Sequence, residues 1–536
     1  MGAAGSLWCE KGTCPMKKHR PTSVAVVALL SFGMLSALGA DAPKGESAKT
    51  EEKDKGTKVP AKEPEVKPKE VSGSVRVEGK ELKYVAQTGL LPIFKDDGSV
   101  RANVFYVYYA AADANGERLS RGGASTRPLM FCFNGGPGSS AVWLHLGGLG
   151  PKRVDALLDG RSPQAIAPMV ENPNTVLDAS DLVFIDPVST GLSRAVTPEE
   201  EKSLLGVEED IEAVAEFLRV FCTREKRWES PKFLCGESYG GIRGGGLAGL
   251  LQSKHGMYLH GVQIVSGLLN YQTIYTPLGN DLPYVLGLPT LTNVAHHHGK
   301  LPSDLQADRV KAEAESRQFA FSAYAGALLR GSSLPEEDRR KVAAQLARFT
   351  GLSLEQVLEQ NLRLNRFRFR KQVLRNEGKV VGGYDARVVA DDFQNEPDGV
   401  TFDPSAAFLK GAVSAAVNAY VREGLGYESD HPYRVMAPVN WNYTQHSNQF
   451  VSMERRLTEA LIQNPRMRVL MQVGRCDLVV PQDAMRYSVN QMPLPKALLG
   501  NIKFEEYASG HMMYFHLPDA EKFRADTVRF IREATR

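Results

Sequence analysis

Cysteine is scarce in this chain, with six among 536 residues, and none of them forms a C-x-x-C pair. That density excludes a small fold held by disulfides. An excess of either charge is also missing: 65 basic against 62 acidic side chains leave a formal charge of +3, too little for the basic footprint of a nucleic-acid partner. There is no internal repeat. The apolar run Val24–Leu38 is short for a membrane span. What the chain does have is 43% hydrophobic and 24% charged content, enough for a large core and the ordinary composition of a globular enzyme.

The first 42 residues read as a leader. Lys17, Lys18, His19 and Arg20 precede Val24–Leu38, and Gly39, Ala40 and Ala42 follow; that order is a signal peptide's, with an uncleaved anchor as the alternative. Met16 is a candidate initiator. The leader implies a periplasmic or extracellular protein with no stable membrane span after processing. Residues 43–72, rich in Lys, Glu and Pro, hold almost no large apolar side chain and read as a disordered charged linker. Cys9 and Cys14 fall in the leader. Cys132, Cys222, Cys235 and Cys476 read as buried thiols, their pairing undecided by sequence.

From residue 73 short apolar runs alternate with glycine turns and helical periodicity, predicting a mostly parallel sheet with helices on both faces. Strands are expected at Leu129–Phe133, Leu182–Ile185, Lys232–Cys235, Val262–Val265 and Arg468–Val473. Ile211, Val214, Ala215 and Leu218 predict a helix over 208–221. Between 271 and 430 the pattern turns Ala-, Arg-, Glu- and Leu-rich, with helices expected at 312–329 and 336–349. A Ser353-x-x-Gln356 capping box should open another, ending near Leu364. This block reads as a helical cap inserted between core segments 73–270 and 431–536, and a last helix is expected at 520–533.

Gly236-Glu237-Ser238-Tyr239-Gly240 lies between a strand and a small-residue helical stretch. This is the setting of a nucleophile elbow, a sharp turn that lifts a serine hydroxyl above the sheet edge. A hydroxyl needs a base, and the base an acid to fix its tautomer. Asp477 follows the Arg468–Val473 strand. His511 follows Lys503–Tyr507 on the loop Ala508-Ser509-Gly510. Asp483 and His516 are the rivals, the first better explained at a helix start. The string Asn134-Gly135-Gly136-Pro137-Gly138-Ser139-Ser140 suits an oxyanion hole, with the Gly136 and Tyr239 amides as donors; its bland alternative is a tight turn. His296, His297 and His298 are adjacent with no patterned acid nearby, so a surface loop is expected there and no metal. No cofactor is implied.

These motifs, in this order, resemble the serine carboxypeptidase family: N-G-G-P-G-S-S, G-E-S-Y-G, a G-x-x-D acid loop and a G-H-M histidine loop. Asp186-Pro187-Val188-Ser189-Thr190-Gly191-Leu192-Ser193 is similar to another family segment. The resemblance runs from about Ser74 to the carboxyl terminus, and Gly510-His511-Met512-Met513-Tyr514 looks more like bacterial members. Cys132 and Ser139 stand where yeast and plant members place a tryptophan and a disulfide cysteine. The resemblance implies an α/β-hydrolase fold and a Ser238-Asp477-His511 triad cleaving carboxyl-terminal residues from peptides. It also implies that Asn134 and Glu237 hold the substrate's terminal carboxylate. Two carboxylates meeting in a closed site repel unless one is protonated, so Glu237 should have a raised pKa and acidic pH should favour peptidase action. An esterase or acyltransferase on the same triad is the competing expectation, and an exported binding protein with a dead hydrolase core the third.

Overall fold

The apolar runs form strands buried on both sides, which requires a sheet covered on each face. A computed structural model of the chain describes residues 67–120, 126–158, 165–392, 400 and 402–536. The leader and residues 43–66 of the linker lie outside these. The strands are β1 (Lys69–Val77), β2 (Lys80–Phe94), β3 (Val100–Ala112), β4 (Leu129–Phe133), β5 (Asp181–Ile185), β6 (Lys232–Glu237), β7 (Gly261–Val265), β8 (Arg468–Gly474) and β9 (Ile502–Tyr507). They line up as β1-β2-β3-β5-β4-β6-β7-β8-β9 in a ten-stranded sheet, whose remaining strand, Arg194–Ala195, pairs with β3. From β5 to β9 all neighbours are parallel, while β1, β2 and β3 are antiparallel. Because β1 starts at Lys69, the linker expected to run to residue 72 ends earlier.

The helices used below are α1 (Val207–Arg224), α2 (Gly240–His255), α3 (Leu282–His297), α4 (Arg309–Phe319), α5 (Glu336–Thr350), α6 (Arg366–Gln372), α7 (Pro404–Ala419), α8 (Glu454–Gln463), α9 (Gln482–Gln491) and α10 (Leu517–Ala534). α1 forms as its periodicity predicts, with Glu208, Glu209 and Asp210 in the first turn and Arg224 in the last, each favourable to the helix dipole. Apolar side chains of α1, α2, α8 and α9 cover one face of the sheet. The segment around Leu144–Leu149, α7 and α10 cover the other. No helix of the described residues is long and apolar enough to cross a membrane.

The inserted block is helical, but its own core is formed by residues between Val285 and Val389. α7, expected within the cap, instead adds Leu409, Ala412, Val413, Ala416 and Val417 to the sheet's core. The cap thus ends before residue 404 rather than at 430. The capping box at Ser353 is present, yet its helix stops at Glu359. Asn361 and Leu362 have φ of 52° and 63°, which turn the chain back. His296 and His297 end α3 and His298 caps it, where a surface loop was expected. They follow the helix because its Val285–Val294 stretch is packed into the cap core. The four described cysteines are free and buried.

Candidate active site

Sheet order locates the site. From β4 the chain steps to β5 on one side, and from β6 it proceeds through β7, β8 and β9 on the other. The loops after β4 and β6 therefore diverge, leaving a crevice at the strands' carboxyl ends. The loop after β4 is Asn134–Ser140, and Ser238 is the first residue after β6. Asp477 and His511 follow β8 and β9 on the same edge.

Ser238 has φ of 60°, a left-handed conformation that costs a residue with a side chain about 1–3 kcal/mol. Its surroundings hold it there. The Ser238 N–H donates to Val265 O at 3.0 Å, and its carbonyl accepts from Gly241 N (2.9 Å) and Leu268 N (3.3 Å). α2 can begin immediately because it is glycine-rich: a Cβ on Gly246 would lie 2.4 Å from Ile211 Cδ1 of α1. Ser238 keeps partial exposure while both its neighbours are buried, so a reagent can reach it.

Asp477 and His511 are brought together. Asp477 is 0% and His511 2% exposed, and His511 Nδ1 lies 2.7 Å from Asp477 Oδ2. The other carboxylate oxygen accepts from Val479 N at 2.8 Å and Val480 N at 2.9 Å; burial raises the Asp477 pKa above its ordinary value, and these bonds and His511 pull against that shift. Burial alone would push the imidazole pKa down, but Asp477 beside it drives it above the ordinary value. The rivals are engaged elsewhere. Asp483 pairs with Arg317 of α4 at 3.0 Å, and His516 lies 3.0 Å from Asp519. Asp519 in turn accepts from the backbone N–H groups of Ala508 and Ser509, fixing the histidine loop.

The inserted block stitches the acid and histidine loops together. His511 N–H donates to Tyr384 O at 2.5 Å, Leu478 N–H to Gly383 O at 3.0 Å, and Ala386 N–H to Cys476 O at 3.0 Å. The Tyr384 ring lies 5.2 Å from the imidazole.

The loop after β4 closes against the elbow. A Cβ on Gly135 would sit 2.4 Å from the Tyr239 amide nitrogen, so only glycine permits that approach. Asn134 is anchored twice: its Oδ1 accepts from Leu144 N at 3.1 Å and its backbone oxygen from Arg243 Nη1 at 2.7 Å. Arg243, on α2, also pairs with buried Asp210 of α1 at 2.8 Å. The Asn134 Nδ2 is buried without a hydrogen-bond partner. It lies beside Glu237, close enough to favour that group's charge. Tyr514 O–H donates to Glu237. Burial pushes the Glu237 carboxyl up to about 7, against the pull of His511 and of the Tyr514 and Asn134 side chains.

Three contributors carry no signal in the motifs read singly. Arg243 is one more polar residue on a helix, Tyr384 belongs to the insertion, and Tyr514 follows His511 by three residues. Its place in the histidine loop was the one available cue. Among the described residues no group of three or more His, Cys, Asp or Glu is arranged to hold a metal ion.

A mostly parallel sheet, helices on both faces and a strand–turn–helix serine at the switch point define an α/β-hydrolase. Residues 80–508 match the family profile described as serine carboxypeptidase, and the chain belongs to that family. It is a serine-type carboxypeptidase, a hydrolase. Among solved structures it is similar to Kex1(delta)p, a prohormone-processing carboxypeptidase from Saccharomyces cerevisiae. The identity there is 15% over 83% of this chain and 91% of that one, with a TM-score of 0.48. Proline iminopeptidase of Mycobacterium smegmatis is 13% identical over 87% and 99% of the two chains, with a TM-score of 0.33. A soluble variant of Saccharomyces cerevisiae monoglyceride lipase is 12% identical over 83% and 96%, with a TM-score of 0.34. No curated protein matches the chain by sequence.

Proposed function

We propose that Ser238, His511 and Asp477 act as a catalytic triad that removes single residues from the carboxyl terminus of peptides through an acyl-enzyme. The observation that carries this reading is the buried 2.7 Å contact of His511 Nδ1 with Asp477, on the same sheet edge as the strained, reachable Ser238. With Nδ1–H bound to Asp477, the neutral imidazole has Nε2 free to accept a proton. Ser238 Oγ attacks the scissile carbonyl carbon as its proton passes to Nε2. The Gly136 and Tyr239 N–H groups receive the negative oxygen. Collapse expels the amine of the last residue, which takes the proton from His511, and water then cleaves the ester by the same route.

Restriction to the chain end follows from two side chains beside the serine. The unpartnered Asn134 Nδ2 and a protonated Glu237 both present donors to a terminal carboxylate. Because Glu237 titrates near 7, peptide binding is favoured on the acid side of neutrality. The leader supports export to the periplasm or beyond, and the histidine loop a bacterial-type member. The test is fluorophosphonate labelling together with mass-spectrometric detection of released residues from blocked peptides. Wild type should label at Ser238 and shorten peptides by one residue. Ser238→Ala should do neither, and activity on esters with none on peptides would favour the esterase reading instead.

A further inference from the structure

The two side chains proposed to hold the terminal carboxylate share a third neighbour. Tyr514 is buried, and its O–H donates to Glu237 Oε2. Its ring rests on two glycines of the Leu144–Leu149 segment: a Cβ on Gly147 would lie 2.7 Å from Tyr514 Cε2, and one on Gly148 3.1 Å from Cγ. Phe515 and, on α10, Phe523 pack against it with ring centres 5.2 and 5.8 Å away. The same segment carries the N–H of Leu144, to which Asn134 Oδ1 is bound at 3.1 Å. One short stretch thus braces both the phenol and the amide, and the Asn134 side chain lies beside Tyr514 as well as beside Glu237.

A buried hydroxyl needs an acceptor, and any backbone carbonyl would serve. Here the acceptor is the carboxyl group next to Ser238. Burial and the neighbouring Glu237 drive the phenol pKa well above its ordinary value, so Tyr514 keeps its proton as a donor to Glu237. A carboxyl oxygen that accepts the phenol hydrogen has no room for a second hydrogen pointing back along the same line. A proton taken up by Glu237 therefore sits on Oε1. His511 and Asp477 also act on Glu237, the first favouring its charge and the second opposing it. The Cys235 thiol lies two residues earlier on β6, and Tyr384 of the insertion is within electrostatic reach. All four stay in place when only the phenol oxygen is removed.

We infer that Tyr514 is a positioning residue: by donating to one oxygen of Glu237 it directs the proton of that carboxyl group to the other oxygen, where it meets the terminal carboxylate of the peptide. This rests on the carboxypeptidase reading above. Tyr514 follows His511 by three residues, so one loop supplies both the proposed base and the group that orients recognition of the chain end.

Steady-state kcat and KM would be measured for wild type, Tyr514→Phe, Glu237→Ala and the double variant on a blocked dipeptide and on the matching blocked amino-acid ester, which has no terminal carboxylate. The quantity compared is the ratio of kcat/KM for peptide to that for ester within each enzyme, which cancels any loss of folded protein. Tyr514→Phe should lower that ratio about tenfold, the usual range for a hydrogen bond to a charged group, and should do so mainly through the peptide KM. Because the phenol favours the charged form of Glu237, its removal should also move the rise of peptide KM to higher pH. In the Glu237→Ala background the same substitution should leave the ratio unchanged. A ratio that is the same in wild type and Tyr514→Phe, or one that falls equally with and without Glu237, overturns the assignment while leaving carboxypeptidase action intact. Failure of wild type to shorten any peptide removes the parent reading and this inference with it.

Discussion

Replacing Glu237 by Gln isolates the role of one proton. In wild type the group titrates near 7 because burial disfavours its charge. If a substrate carboxylate binds well only when Glu237 is neutral, apparent KM should rise in inverse proportion to the fraction protonated. Between pH 6 and pH 8 that fraction falls about tenfold, equivalent to about 1.4 kcal/mol of binding. Glu237→Gln offers a neutral side chain at every pH, and its KM should stay flat over the same range. The assay is steady-state hydrolysis of one blocked dipeptide from pH 5 to 8, with the corresponding amide, which lacks the terminal carboxylate, as control. Stability supplies a second readout. A carboxyl whose folded pKa is raised from 4.5 to about 7 contributes fully below pH 4.5, and its contribution is lost as pH rises through 7. Wild type should therefore lose about 3 kcal/mol relative to the variant across that window. Superimposable KM profiles for the two enzymes would refute the shared-proton argument.

Asp477→Asn should lower kcat by about three to four orders of magnitude with little change in KM, since the asparagine stabilises the wrong imidazole tautomer; stopped-flow or steady-state kinetics would measure it. Arg243→Met should destabilise the protein by about 3–5 kcal/mol in urea unfolding, because it leaves the buried Asp210 carboxylate unpaired. Adding Asp210→Asn should recover part of that loss, and a simple sum of the two single effects would argue against the pairing.

The parallel half of the fold is legible because most of its strands are short, mainly apolar runs, several of them next to glycine. Leu129–Phe133 is found at its expected limits, and the other four differ from theirs by one or two residues. The first three strands escape that reading. β1 and the start of β2 alternate polar and apolar residues at a half-solvated edge, so they make no continuous run. The convergence of Asp477 with His511 follows from the rule that parallel strands end on one edge. The residues that hold the loops in place, Tyr384 and Arg243, depend on contacts more than 100 residues apart in sequence, which no local pattern records. The limits of the insertion are obscured for a related reason. α7 is one more alanine-containing helix directly after the cap helices in sequence, and its packing partners place it with the sheet.

The backbone bonds from Gly383, Tyr384 and Ala386 to the acid and histidine loops make the insertion part of the chemistry's framework. Its outer helices are open to remodelling by drift or by design, but those three positions pin the block to the loops of the proposed triad. An enzyme trimmed to a minimal hydrolase, or given a foreign insertion to change its substrates, would have to carry that short stretch across unchanged.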